Sequence, residues 1–189
     1  MAKTLTATPS IFWVTGLSGA GKSSFARALV DSLRSRGEAV VLLDGDELRE
    51  VFGAASASEA DFSRHKRLSL AMQYAHLCRV ISGQGLIVVI ATISLFRELH
   101  AWNRAHLPGY FEIYLKVPLE ELRRRDPKGI YRRFDAGLLK NVAGLDIAVD
   151  EPEAADWMIE FEQNQSPQHL VDELLKHLHA KAQWQSSKA

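Results

Sequence analysis

The sequence holds one cysteine in 189 residues, Cys78, so no internal disulfide can form. A reducing compartment is the natural setting for such a chain. Cys78 lies in an apolar helical stretch and reads as a buried structural thiol rather than a reactive one. There is no excess of charge of either sign: lysine plus arginine and aspartate plus glutamate both number 23. That argues against a protein that coats nucleic acid, which carries a basic surplus. It leaves room for a phosphate site, which needs only a few local cations. Long hydrophobic runs are missing too. The longest, Leu86 to Ala91, is far too short to cross a bilayer, and residues 1–10 lack the charged-then-apolar pattern of a secretory signal. A soluble, cytoplasmic protein with no membrane or nucleic-acid partner is expected. The histidines have no metal-ligand spacing. His76, His100 and His106 are scattered, His177 and His179 fall on a terminal helix, and no zinc site is expected.

What is present is ordinary in amount and ordered in pattern. Apolar residues make up 47% and charged residues 24%, as in a globular protein. The length suits one domain over residues 1–189. Short apolar runs at 11–15, 39–43, 86–91, 111–117 and 157–161 predict strands. Helical spacing predicts helices at 21–36, 62–82, 101–106, 119–125 and 167–180. The small, polar stretch 53–61 reads as a mobile connection. Strands alternating with helices imply βαβ units, a parallel sheet and helices on both faces. Ligands of such sheets bind at the carboxyl ends of the strands.

The first strand runs straight into Gly16-Leu17-Ser18-Gly19-Ala20-Gly21-Lys22-Ser23, a full match to G-x-x-x-x-G-K-[ST] between a strand and a helix. Glycines let backbone N–H groups curl round phosphate oxygens, and the helix N-terminus adds partial positive charge. Lys22 can reach the β- and γ-phosphates of ATP, and Ser23 can offer its hydroxyl to Mg²⁺. Residues 16–23 with Ser24 form the expected ATP site. The fold expected is therefore α/β, a P-loop NTPase-type three-layer sandwich with a central parallel sheet.

Other segments narrow the class. The second strand ends at Asp44-Gly45-Asp46. Asp46 there can take the proton of an acceptor hydroxyl or hold a metal-bound water, whereas Asp44 reads equally as a helix cap. The third strand carries no acidic residue, unlike that of a motor ATPase, and no Asn-Lys-x-Asp motif reads guanine. Both absences favour a small-molecule kinase. The basic run 123–133, with Arg125, Lys128 and Arg132, reads as part of a mobile lid over about 123–150 that brings cations to the transferring phosphoryl group. A P-loop binding module without catalysis is the alternative of another class.

These residues resemble the adenylylsulfate kinase family. The likeness rests on the loop at 16–23, Leu-Asp-Gly-Asp-Glu-Leu-Arg at 43–49, Phe62-Ser63 with Arg67, Ile93-Ser94, and Arg-Asp-Pro-Lys-Gly-Ile-Tyr at 125–131. It implies transfer of the γ-phosphate of ATP to the ribose 3′-hydroxyl of adenosine 5′-phosphosulfate, a small nucleotide acceptor, and it suggests a homodimer. It also implies roles. Lys22 and Asp46 would be catalytic, as would Ser94, which the family resemblance casts as a phosphoserine intermediate and plain chemistry as a hydrogen-bond donor. Asp44, Arg49, Arg67, Ile93 and Lys140 would meet the acceptor, and Phe62 would stack on its base.

The chain departs from the family at four places, all on the acceptor side. Val142-Ala143-Gly144-Leu145-Asp146 stands for Phe-Thr-Gly-Ile-Asp, Leu70 for an asparagine, Gln73 for an arginine and Leu95 for a proline. A purine that loses one stacking ring loses about 1–3 kcal/mol. The run Ala91 to Phe96, with Trp102-Asn103-Arg104, looks more like a divergent branch tied to surface polysaccharides, in which a cytidine diphosphoramidate is phosphorylated at its 3′ position.

Overall fold

A computed structural model describes residues 9–53 and 63–186, with side chains through residue 180. The chain runs β1 (Ile11–Thr15), α1 (Lys22–Arg34), β2 (Val40–Asp44), α2 (Gly45–Val51), α3 (Arg64–Ser82), β3 (Ile87–Ala91), α4 (Arg97–His106), β4 (Tyr110–Lys116), α5 (Leu119–Arg125), α6 (Ile130–Asp135), β5 (Trp157–Glu160) and α7 (Pro167–Ser186). The strands form one sheet in the order β2-β3-β1-β4-β5, and every pairing is parallel.

β1 sits at the centre, and all five of its residues are buried. Its alternation divides the core in two. Phe12 and Val14 point to one face, where Phe25, Leu29 and Leu33 of α1 meet Val171, Leu174 and Leu175 of α7. Ile11 and Trp13 point to the other, where Ala71, Ala75 and Cys78 of α3 meet Leu99 of α4. Two helix layers thus enclose one sheet, the three-layer P-loop sandwich that the sequence implies. Order reverses at β1, with β3 and β2 on one side and β4 and β5 on the other. A cleft opens at the carboxyl ends beside such a switch point. Cys78 is fully buried, and burial pushes its thiol up to about 12. It is a packing residue. Among the described residues no helix is long and apolar enough to cross a membrane.

The structure departs from the sequence reading in identifiable ways. α2 and α6 were not expected. They hold seven and six residues and fall in charged segments that read for their acids and bases rather than for apolar spacing. Both depend on local chemistry instead: the Asp44 carboxylate caps α2 through the Asp46 N–H, and the Asp126 carboxylate accepts the Tyr131 and Arg132 N–H groups at the start of α6. α4 begins at Arg97, four residues before the periodic pattern. α3 begins after Ser63, which caps it through the Lys66 N–H. Phe62, expected to stack on a base, and most of the stretch expected to be mobile lie outside the described residues.

Leu29 is fully buried between β1 and α7, away from the carboxyl-end cleft. Leu29→Ala is expected to cost about 2–5 kcal/mol of stability with the KM for ATP unchanged. Urea unfolding together with steady-state kinetics checks both.

Candidate active site

The loop between β1 and α1 is shaped by close approach. Gly16 has φ +150, and a Cβ there would meet the Leu115 carbonyl oxygen at 2.7 Å. The loop therefore lies against β4 only because residue 16 has no side chain. Gly21 caps α1 in a left-handed conformation with no side chain to occupy the first-turn N–H groups. Those donors and the positive end of the helix dipole face the cleft. Lys22 Nζ folds back on the loop and donates to the Leu17 carbonyl at 2.8 Å. Ala20 is buried behind it.

The acidic strand end meets this loop. Ser23 Oγ donates to Asp44 Oδ2 at 2.6 Å, and Asp44 Oδ1 accepts the Asp46 N–H at 2.9 Å. Asp44 is therefore both the helix cap and the partner of the loop serine. It is buried, yet it still lines the larger of the cavities described next. One turn of α2 sets Asp46 and Arg49 side by side as an ion pair, and Lys128 closes on the same Asp46 carboxylate from the lid segment. The two cations hold Asp46 between them.

Two cavities adjoin here. The larger, about 650 Å³, is lined by Ser18, Gly19, Gly21, Lys22, Ser23 and Ser24, and on the lid side by Arg125, Lys128, Arg133 and Lys140. The smaller, about 380 Å³, reaches between α3 and the loop after β3, past Leu70, Gln73, Tyr74, Leu95 and Phe96. Arg49, Arg67, Thr92, Ile93 and Ala143 line both. A ligand in one cavity and a ligand in the other would therefore meet at this wall.

The wall is held by named contacts. Thr15 Oγ1 donates to the Ile93 carbonyl at 2.5 Å. Ser94 takes φ +27, an unusual backbone for a side-chain-bearing residue, and its buried hydroxyl pairs with Thr92 Oγ1 at 2.8 Å. His100 Nε2 lies 3.2 Å from the Ser94 carbonyl. Arg67 donates to the Asn141 carbonyl at 2.6 Å. Burial, and then the nearby Arg49 charge, lower its guanidinium from the ordinary arginine value. The 141–147 loop is closed by Asp146, which accepts the Asn141 and Val142 N–H groups at 2.7 and 2.5 Å.

The lid segment is tied to the phosphate loop. Tyr131 is buried and donates its hydroxyl to the Ser18 carbonyl at 2.9 Å. Arg125 turns to Glu121 at 2.7 Å and lies over Phe161 while still lining the larger cavity. Arg132, expected to serve the lid, instead points to solvent beside Asp126, and its neighbour Arg133 lines the cavity. The left-handed turn at Gly129 sets the phase of α6, and one residue decides which arginine faces inward. Lys140 lines the phosphate-side cavity rather than the smaller one. Arg133 and Tyr74 are lining residues that the sequence reading missed. Arg133 stood in the basic run, whereas Tyr74 gave only an apolar helical signal. Among the described residues no cluster of three or more His, Cys, Asp or Glu could hold a metal.

Sheet order and loop define a P-loop nucleotide-binding protein. The family profile described as adenylylsulphate kinase matches residues 8–160, and the chain belongs to that family. It is a kinase, a transferase that uses ATP and phosphorylates a hydroxyl. It is 38% identical over 146 residues, 77% of this chain and 83% of the relative, to a cytidine diphosphoramidate kinase of Campylobacter jejuni. It is 34% identical over 172 residues, 90% of this chain and 84% of the relative, to an adenylyl-sulfate kinase of Marinobacter nauticus. The structure of the Mycobacterium tuberculosis APS kinase CysC in complex with AMPPNP and APS superimposes with a TM-score of 0.81 at 29% identity, covering 92% of this chain and 99% of that one.

Burial first, and next the Lys128 ammonium, hold the Lys22 amine down at about 7, against the opposing pull of Asp44. The unfolded amine titrates at 10.5, so between those values the unfolded chain binds more protons and stability rises with pH. The buried charge costs most below about pH 7 and nothing above about pH 10.5. Lys22→Met is therefore expected to raise the Tm of the nucleotide-free protein at neutral pH, with a gain that shrinks as pH rises, and to abolish phosphoryl transfer. Calorimetry across that range checks it. A gain independent of pH would assign the effect to packing.

Proposed function

We propose that this chain transfers the γ-phosphoryl group of ATP directly to the ribose 3′-hydroxyl of adenosine 5′-phosphosulfate held in the smaller cavity. The observation that carries this reading is the shared wall. The phosphate loop opens on one side, a nucleotide-sized cavity on the other, two arginines stand where they meet, and Asp46 is paired with one of them, Arg49.

Each group has a task there. The N–H groups of residues 19–24 and the Lys22 ammonium take up the charge of the β- and γ-phosphates. The hydroxyl of Ser23 and the carboxylate of Asp44, 2.6 Å apart, are hard oxygen donors that suit Mg²⁺, Asp44 through a bound water. Mg²⁺ bound with ATP supplies neutralisation of the phosphate charge. Asp46 accepts the proton of the attacking hydroxyl, aimed by Arg49 and Lys128. Arg49 and Arg67 hold the acceptor's anionic tail, and Phe62 stacks on its base. Lys128, Arg125, Arg133 and Lys140 bring positive charge to the transferring group from the lid side. Ile93 walls the acceptor. Ser94 acts by position: its hydroxyl is buried on Thr92, which supports in-line transfer without a phosphoserine.

A second acceptor is favoured by a specific observation. The walls of the smaller cavity carry Leu70, Leu95 and Ala143 where the family pattern is asparagine, proline and threonine, and buried Val142 stands where a second ring would stack. A smaller pyrimidine base fits such a pocket, as in the cytidine diphosphoramidate kinase relative. ADP release measured with Mg-ATP and each acceptor in turn decides between them. Turnover on adenosine 5′-phosphosulfate supports the first reading, turnover only on the cytidine compound the second, and turnover on neither overturns both.

Asp46→Asn is expected to lower kcat about 10²- to 10⁴-fold, the usual reach of general-base catalysis, with ATP binding retained. Stopped-flow nucleotide binding and steady-state rates check it, and an unchanged kcat removes Asp46 from the chemistry. Arg67→Ala is expected to raise the acceptor KM without changing that for ATP.

A further inference from the structure

Three buried side-chain polar atoms have no hydrogen-bond partner among the described residues: Trp13 Nε1, Asn103 Oδ1 and the Tyr74 hydroxyl. Trp13 and Asn103 lie outside both cavities described above. Tyr74 lines the smaller one. Buried hydroxyls are normally satisfied, because leaving one unpaired forfeits its hydration for nothing. The Tyr74 hydroxyl is thus a shielded donor without a partner, on a residue of the cavity wall, and a ligand seated against that residue could supply the missing acceptor.

The surroundings of Tyr74 fix the ring and leave the hydroxyl as its only polar atom. It is 3% exposed, on the inward side of α3. Its ring packs against Phe52 with centroids 5.7 Å apart. Gln73 beside it and Leu70 one turn earlier face the same cavity. The shared wall presents the cations Arg49 and Arg67, which suit an anionic tail. Of the residues that line only the smaller cavity, Lys66 adds a further cation, whereas the Tyr74 hydroxyl and the Gln73 carboxamide are uncharged. Burial pushes the Tyr74 hydroxyl up to about 12 against the pull of Arg49, so it stays protonated and donates at any working pH.

We infer that Tyr74 is an acceptor-specificity residue, whose hydroxyl donates a hydrogen bond to an uncharged acceptor atom of the bound nucleotide, such as a carbonyl or ring nitrogen of its base. The inference rests on the reading of the smaller cavity as the acceptor site. The hydroxyl takes no part in transfer itself, so it acts on binding and selection rather than on the chemical step.

The test is Tyr74→Phe, which keeps the ring on Phe52 and removes one oxygen. Steady-state kinetics are measured for wild type and variant with Mg-ATP and both acceptors, adenosine 5′-phosphosulfate and cytidine diphosphoramidate, alongside Tm. The expected result is an acceptor KM raised about fivefold, the size of one neutral hydrogen bond, with kcat, the KM for ATP and Tm unchanged or Tm raised. An unchanged acceptor KM in an active variant overturns the role of Tyr74 and leaves the proposed function standing. No wild-type turnover on either acceptor overturns that function, and the inference falls with it. If the variant loses Tm and both KM values rise together, Tyr74 is a packing residue and the inference is wrong.

Discussion

The hydrogen bond from Ser23 to Asp44 joins the two halves of this site. Ser23 stands in the first turn of α1, directly after the phosphate loop, and Asp44 ends β2 and caps α2. Through that one carboxylate the nucleotide side is tied to the helix that carries Asp46 and Arg49. Each lobe of Asp44 is spent, Oδ2 on the loop serine and Oδ1 on the first turn of α2. A shift of either element would leave a buried carboxylate oxygen unpaired, which is costly. Parallel pairing of β2 to β3 and β3 to β1 brings these chain segments to one edge. The glycines of the loop then let the backbone of β1 turn there rather than continue.

The lid side is built on the same economy of contacts. Tyr131 anchors α6 to the carbonyl of Ser18, and Asp126 fixes the start of that helix. Lys128, between them in sequence, reaches across to Asp46. Burial first, then the Arg49 charge, draws its amine below the ordinary lysine value, while Asp44 pulls the other way. Positive charge from α1, α2, α3 and the lid segment thus lines the larger cavity, with the carboxylates of Asp44 and Asp46 set among it. Such crowding is unfavourable for folding and is what a tetra-anionic nucleotide needs.

Much of this was legible in the residue order. The loop at 16–23 is contiguous, so its function could be read without knowing the fold. The buried strands read as apolar runs because a parallel sheet covered on both faces leaves no polar alternation. What escaped were features set by phase or by distance. Arg132 and Arg133 are equivalent in sequence, and only the turn at Gly129 decides that the second faces inward. Asp44 read as either cap or ligand; it is a cap whose other oxygen holds the loop serine, and only the β2–β3–β1 register could reveal that. Tyr74 lies in a stretch that reads as core, and its unpaired hydroxyl is visible only in three dimensions. The family pattern is kept in the phosphate loop and altered along the far wall, at Leu70, Gln73 and Leu95.

Direct transfer across the shared wall makes a claim about phosphorus that one measurement reaches. ATP carrying an isotopically chiral γ-thiophosphoryl group can be turned over on the preferred acceptor and the configuration of the product determined. A single in-line displacement inverts it, and inversion is the result expected from a Ser94 hydroxyl that is buried on Thr92. Retention would mean two successive displacements through a covalent enzyme intermediate, and would contradict direct transfer.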